Sequence, residues 1–383
     1  MKTLYFKSPT GFILGNGLAM NLAEYAAKLG MGKVLMISDP MIKKLGVSEK
    51  IMNAAKAKGI SFTEFSDVEA EPPVANTNDG FAIYKNEGCE GIVGLGGGSA
   101  MDVAKAVAML AANPGKYQDF VGVNKVPRHC APLILIPTTS GTGSEVSMFS
   151  IMMVDGAKAG VCDQNITAHI ALVDPELTLS VPRKVTAATG LDTFCHLLES
   201  YLSNLTNPMA SMVALEGIAY TTKYLRKAVG DGNNLEARYW MSYASSLGGY
   251  CCNLTDGCAA NHGFAFALGG VYHTAHGLAN AIMLPWVFPV VAKAEMDKVR
   301  GIGVAMGENM KGLSDNECLK AVTKAITDLV SDVGCLIPLS KLGGDKKDID
   351  RLVEETNKQT RVMGHSSYKL TSEEIAEIYH RAF

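Results

Sequence analysis

Asp192 and His196 stand four residues apart in Gly190-Leu191-Asp192-Thr193-Phe194-Cys195-His196, a segment with helical spacing. At 3.6 residues per turn such a pair projects from one face, one turn apart. HExxH helices use this spacing to let two side chains chelate one cation. Two further histidines, His262 and His276, lie in the apolar, glycine-rich stretch from Asn261 to Ala281. One carboxylate and three imidazoles suit a divalent first-row cation, iron or zinc, and leave a position for a substrate oxygen. Such a set keeps a net positive charge with the cation bound, so it can polarise an alcohol or carbonyl oxygen. Taken singly, each of these histidines reads more readily as a structural residue, and spacing alone leaves both readings open.

A second kind of chemistry is suggested by Gly94-Leu95-Gly96-Gly97-Gly98-Ser99, placed between an apolar strand and a helical segment. Glycines let the backbone approach a diphosphate closely, and free N–H groups at a helix start bind its charge. Ser99 stands where a GxGxxG string has its last glycine, and Ser99 with Asp102 reads as a capping arrangement. The alternative is an ordinary tight strand–helix turn. Asp39 ends the apolar run Lys33 to Ser38, at a carboxyl strand end where open α/β sheets bind ligands. A carboxylate there can accept both hydroxyls of an adenosine ribose and repel a 2′-phosphate, which favours NAD(H) over NADP(H). It precedes the glycine loop, whereas the usual fingerprint places the acid about 20 residues after it. Its other reading is a helix N-cap before Pro40. A third loop, Pro137-Thr138-Thr139-Ser140-Gly141-Thr142-Gly143-Ser144-Glu145, offers hydroxyls and glycines suited to phosphate, ribose or amide contacts, or to a plain polar turn.

These groups need elements to position them. Lys33 to Ser38, Gly91 to Leu95 and Pro132 to Ile136 read as strands, and Ser99 to Leu110 as a helix. Strands separated by helical segments predict a parallel sheet covered by helices. Beyond about Pro182 the segments Ala187 to Ser203, Pro208 to Lys227 and Leu235 to Cys252 have helical spacing without clear strands. Ser372-Glu373-Glu374 reads as a helix start capped by the serine. The expected division is an α/β nucleotide-binding domain over 1–180 and an all-α domain over 181–383, with the boundary near Leu179 to Arg183. A chain of 383 residues with 48% hydrophobic and 19% charged residues can bury two cores and is not disordered. A net charge of −3, with no basic block longer than a pair, argues against nucleic acid as a partner. The N-terminal MKTLYFKSPTGF lacks an apolar leader, and the most apolar stretch, Ala281 to Ala292, is too short to span a bilayer. The expected protein is cytoplasmic and free of the membrane. Nine scattered cysteines without a CxxC fit reduced thiols, and the loose group Cys251, Cys252 and Cys258 lacks the spacing of a zinc site.

The motifs GGGSxxDxAK (Gly96 to Lys105), PTTxGTGSE (Pro137 to Glu145), GLDxxxHxxE (Gly190 to Glu199) and HGxAN (His276 to Asn280) occur together and in order. In them the chain resembles the iron-containing (group III) alcohol dehydrogenases over nearly its whole length. The resemblance implies a dehydroquinate-synthase-like fold and a metal-dependent oxidoreductase interconverting a small primary alcohol and its aldehyde with NAD(H). It implies Fe2+, or Zn2+, on Asp192, His196, His262 and His276. It implies diphosphate contacts from Gly97, Gly98 and Ser99 within the Gly96 to Asp102 loop, and cofactor contacts from Thr138, Thr139 and Thr142. Asp39 resembles the ribose acid, Lys158 a lysine near the ribose, and Thr178 and Leu179 a segment lining the cofactor. A homodimer or a larger homo-oligomer is expected on the same ground.

Three positions depart from the family pattern. Phe266 replaces a second histidine four residues after the third ligand, one that relatives are thought to use for proton movement. His273 is an additional histidine three residues before His276, so a relay through His273 is one expectation. Glu71 stands where many relatives carry asparagine. Phe149, Phe194 and Phe266 are candidate walls of an apolar substrate pocket. The competing readings are a polyol (glycerol-type) dehydrogenase, whose members lack the histidine four residues after the aspartate, a dehydroquinate-synthase-like lyase, for which basic residues are too few, and a non-catalytic NAD- and metal-binding protein.

Overall fold

The computed structural model describes residues 11–383; most of the N-terminal stretch read above for a leader lies outside them. Two compact units result: residues 11–139 and 143–180 form one, and residues 140–142 and 181–383 the other.

The first unit is built on a six-stranded sheet. Its strands are β1 (Gly11–Leu14), β2 (Lys33–Ile37), β3 (Ser61–Phe65), β4 (Gly91–Gly96), β6 (Leu133–Pro137) and β9 (Ile170–Val173). All pair in parallel, in the order β1-β9-β6-β4-β2-β3. Alternate side chains serve opposite faces. Leu35, Ile37, Ile92, Leu133 and Leu135 enter one apolar core, while Val34, Met36, Val93, Leu95, Ile134 and Ile136 enter the other. That two-sided burial explains why these strands read as continuous apolar runs rather than alternating ones. From β2 the chain moves outward to β3. From β4 it moves the opposite way, to β6. The carboxyl ends of the neighbours β2 and β4 therefore flank a topological switch point, where open α/β sheets bind ligands. This strand order brings Asp39 beside the glycine loop although it comes earlier in the chain.

A smaller sheet, β5 (Gly122–Val123), β8 (Ala157–Cys162) and β7 (Phe149–Val154), was not legible as strands. Its β7–β8 hairpin turns through Asp155 (φ 50°) and Gly156 (φ 81°). Asp-Gly is a common signal for such a turn.

The second unit is helical. Arg183–Leu202, Pro208–Gly230 and Leu235–Thr255 pack around Leu191, Phe194, Leu197, Leu225 and Met241. Ala260–Tyr272 and His276–Val291 follow and pack with the C-terminal helix Ser372–Ala382 around Phe264, Ile282 and Tyr379. The C-terminal cap differs from expectation by one residue. Thr371, not Ser372, accepts from Glu374 N, and the Glu374 carboxylate answers to Thr371 N at 2.9 Å. Pro285 and Pro289 lie inside helix His276–Val291, and the helical run extends to Ala305. It is long and apolar enough to cross a membrane by length and composition, but 56% of its most apolar window is buried within the protein, the property of a core helix.

Candidate metal centre and cofactor loops

Asp192 and His196 lie one turn apart on helix Arg183–Leu202, both buried. His262 is contributed by helix Ala260–Tyr272, and His276 is the first residue of the next helix. One donor atom from each of the four lies within 4.8 Å of all the others. Asp192 Oδ1 is 3.8 Å from His262 Nε2 and 3.6 Å from His276 Nε2. The His196 and His262 rings stack with centroids 4.7 Å apart. His196 Nδ1 and His262 Nε2 are buried with no hydrogen-bond partner, an arrangement that costs free energy unless something takes up those lone pairs.

The charges in this cluster point the same way. Burial disfavours the ionised Asp192, but His196, His276 and His262, with the Asn280 amide, outweigh it and hold its carboxyl below the usual range. Burial likewise disfavours protonated His262, but Cys258 and Glu199 raise it well above the ordinary imidazole value. The surrounding acids thus draw positive charge into the site, a demand that a divalent cation meets. The donor set fits such an ion.

Several of the supporting residues had no role assigned from sequence. Glu199, the last residue of the GLDxxxHxxE string, takes a short hydrogen bond from His262 Nδ1 and accepts from Asn261 N at 2.5 Å. A carboxylate on the far nitrogen fixes ring orientation and leaves Nε2 for the cation. Asn280, the last residue of HGxAN, donates to Asp192 Oδ1 at 2.8 Å and is itself held by Asn261 Nδ2 at 3.1 Å. Gly277 lets the start of its helix lie against helix Arg183–Leu202: a Cβ there would be 2.7 Å from Ala188 O. Cys258, set aside above, lies against His196 and His262. Burial would raise its thiol, but the two imidazoles bring it down to about 7.

In the α/β unit, β4 and β6 end side by side, Gly96 opposite Pro137. Gly96 has φ 151°, and a Cβ on it would sit 2.8 Å from Ala100 Cβ and 3.2 Å from Asp39 Oδ2. The N-cap reading of Asp39 is realised, and one carboxylate oxygen is left over. Its Oδ1 caps helix Pro40–Lys44, accepting from Met41 N and Ile42 N at 2.9 and 3.0 Å, while Oδ2 faces the glycine loop. The capping expected from Ser99 and Asp102 is not formed. Gly97 is the N-cap of helix Gly98–Ala112 and no side chain caps it, which leaves its first N–H groups for an anion. Asp102 turns inward instead. It accepts from Ser144 Oγ at 2.6 Å and Ile151 N at 3.0 Å and pairs with the buried Lys105 at 3.2 Å. Thr138 is buried at the end of β6, its N–H on Gly96 O, and Thr139 Oγ1 lies over Gly97. Ser140–Thr142 belongs with the helices: Thr193 Oγ1 donates to Gly141 O at 3.0 Å, and Gly141 N donates to Ser245 Oγ at 2.8 Å. Lys158, on the hairpin, pairs with Glu71 at 2.6 Å in an exposed setting. The Thr178 hydroxyl is spent on Pro175 O, with the half-buried Leu179 beside it.

Residues 9–175 match the sequence family described as iron-containing alcohol dehydrogenase, and residues 186–383 match the C-terminal domain of the Fe-containing alcohol dehydrogenase family. The chain belongs to the iron-containing alcohol dehydrogenases. It is 34% identical to a long-chain-alcohol dehydrogenase 1 of Geobacillus thermodenitrificans, over 97% of this chain and 94% of that one. It is 31% identical to an NAD-dependent methanol dehydrogenase of Bacillus methanolicus, over 91% and 92%. A solved 1,3-propanediol oxidoreductase shares the fold with a TM-score of 0.95 at 31% identity, covering 100% of both chains. As a member of this family the protein is an alcohol oxidoreductase with an α/β domain of parallel strands and a helical C-terminal domain.

Within that family frame the positions that depart from the pattern fall apart. The Phe266 ring stacks on His276 with centroids 5.4 Å apart and meets His262 edge-on at 6.2 Å, so it borders the four-donor cluster. Phe194 does not: it is fully buried in the helical core, on the face of its helix away from Asp192 and His196. Phe149 is half-buried in β7. His273 is exposed, and with φ 52° it is the left-handed C-cap of helix Ala260–Tyr272. The structure places it outside the donor cluster.

Proposed function

We propose that this protein interconverts a small primary alcohol and its aldehyde with NAD(H), using a divalent cation, iron foremost and zinc as the other candidate. Asp192, His196, His262 and His276 hold the cation. The observation that carries the reading is the four-donor cluster with its two unpartnered imidazole nitrogens. When bound, the cation polarises the substrate oxygen and the nicotinamide exchanges hydride with the substrate carbon.

The chain's own residues do the rest. Glu199 and Asn280 keep His262 and Asp192 aimed, so little reorganisation is needed at the moment of reaction. Phe266 gives the site an apolar wall that cannot donate or accept a proton. Gly97, Gly98 and Ser99 present uncapped N–H groups to the cofactor diphosphate, and Gly96 ends the strand that leads into them. Asp39 takes the ribose hydroxyls with its uncommitted Oδ2 and disfavours a 2′-phosphate. Thr138, Thr139 and Thr142, with Lys158, Thr178 and Leu179, complete the cofactor contacts, while Asp102 positions the loop from behind. The enzyme acts in the cytoplasm as a homodimer or larger homo-oligomer, on a free small molecule rather than on nucleic acid or membrane. The relatives named above act on alcohols from methanol to long-chain ones, so chain length is the property to scan.

The test uses protein reconstituted with Fe2+ or Zn2+, a panel of short alcohols and aldehydes, and absorbance of NADH in both directions. His196→Ala abolishes both tight cation binding and turnover. Full cation occupancy with normal turnover in that variant would overturn the ligand assignment.

A further inference from the structure

A second group of donors lies in the α/β unit, at the edge of the sheet away from the cofactor loops. His129 and Cys130 precede β6, and His169 immediately precedes β9. These two strands are parallel neighbours, so all three residues gather at the amino-terminal edge. Asp39, the glycine loop and Thr138 follow the carboxyl ends instead. One donor atom from each of His129, Cys130 and His169 lies within 4.8 Å of the other two. The imidazole rings meet edge-on, centroids 4.6 Å apart and planes at 80°. Cys130 Sγ is 3.8 Å from His129 Nδ1 and donates to Thr167 O at 3.5 Å.

We propose that His129, Cys130 and His169 form a second cation site, for one thiophilic d10 ion of the zinc type. Metal–sulfur bonds of about 2.3 Å and metal–nitrogen bonds of about 2.0–2.1 Å in a tetrahedron place sulfur and nitrogen about 3.6 Å apart. The 3.8 Å between Cys130 Sγ and His129 Nδ1 is close to that edge, so small side-chain adjustments assemble the site. A thiolate with two imidazoles selects soft and borderline ions over magnesium or calcium. On binding, the Cys130 thiol gives its proton to water and a sulfur–metal bond replaces the contact to Thr167 O. His169 Nδ1 accepts Leu133 N–H at 3.2 Å in the absence of a cation, and ligation by His169 breaks this bond, a cost that the metal–ligand bonds must exceed. His129 is exposed, so the fourth position opens to water. The ion would clamp the chain entering β6 to the chain entering β9. That closes the excursion 130–169, which carries the Thr138–Thr139 loop and the β7–β8 hairpin. Its role is structural, and it does not depend on the catalytic reading above.

The experiment is zinc stoichiometry on full-length protein stripped with chelator and refilled with Zn2+ alone, read by elemental analysis after desalting. Wild type is expected to hold two equivalents per chain, His196→Ala one, and His129→Asn one. Zinc should also raise the melting temperature of His196→Ala, and this rise should be lost when His129→Asn is added. His129 is exposed, so its replacement leaves the fold intact. Cys130→Ser serves as the second variant. With Cd2+ as the probe, the ultraviolet thiolate-to-metal band is expected to persist in Cys258→Ser and vanish in Cys130→Ser. One equivalent in wild type with none in His196→Ala would overturn the second site and leave the catalytic one standing. Two equivalents that persist in both His129→Asn and Cys130→Ser would overturn it as well.

Discussion

Gly277→Ala tests how tightly the metal centre depends on helix packing. Gly277 follows the proposed ligand His276 at the start of helix His276–Val291. A Cβ added there would lie 2.7 Å from Ala188 O, 3.0 Å from Ala188 C and 3.4 Å from Asp192 Cβ. The two closest obstacles are backbone of helix Arg183–Leu202, so no rotamer change relieves them. Ordinary contact begins near 3.4 Å, and in a close-packed interior the start of the second helix must withdraw by roughly 0.7 Å to reach it. Metal–ligand distances tolerate only about ±0.2 Å, and His276 moves with that backbone. Overpacking costs about 1–3 kcal/mol, while alanine gains up to about 1 kcal/mol over glycine in a helix. The metal-free protein therefore loses about 0–3 kcal/mol of stability. Cation affinity falls as well, by tenfold or more, equivalent to about 1.4 kcal/mol or above, because His276 is displaced with its backbone. Affinity is measured by competition against a chelator, and apo stability by calorimetry. A variant with wild-type cation affinity would refute the link between the helix contact and ligand placement.

Asp39→Gly is expected to gain relative use of NADPH by about 1–3 kcal/mol of discrimination and to lose only a few tenths of a kcal/mol from the cap it forms on Met41 and Ile42; a wild type that used both cofactors equally would contradict this. Glu199→Gln leaves all four metal donors in place but removes the carboxylate on His262 Nδ1, so a 10–100-fold drop in cation affinity is expected, and an unchanged affinity would deprive Glu199 of an orienting role. His273→Asn suits a left-handed cap, since asparagine tolerates that conformation. Turnover and its pH profile should match wild type with the cation bound, whereas a lost acidic limb would reinstate His273 as a proton relay.

Local periodicity made part of this protein legible before folding. Asp192 and His196 share a face because any helix places residues four apart together, and the apolar runs of β2, β4 and β6 read as strands because both their faces are buried. The same periodicity could have excluded Phe194, which sits two residues from Asp192 and therefore on the opposite face. The glycine loop and Asp39 were recognisable as residue types, but not their partnership. Parallel strands can be ordered in many ways along one chain, and only the arrangement β6-β4-β2-β3 makes an earlier acid the neighbour of a later loop. Asp102 read as a cap because a nearby serine offered local pairing, yet long-range partners, Ser144, Ile151 and Lys105, claimed its carboxylate. Glu199 and Asn280 were visible inside their motifs without a role. Glu199 meets His262 across 63 residues, and Asn280 meets Asp192 across 88. Residue type and short-range spacing thus determined what kind of chemistry this chain can hold. Tertiary packing decided which side chains converge on it, because contacts between distant segments follow from how apolar faces bury one another, and no local pattern records that.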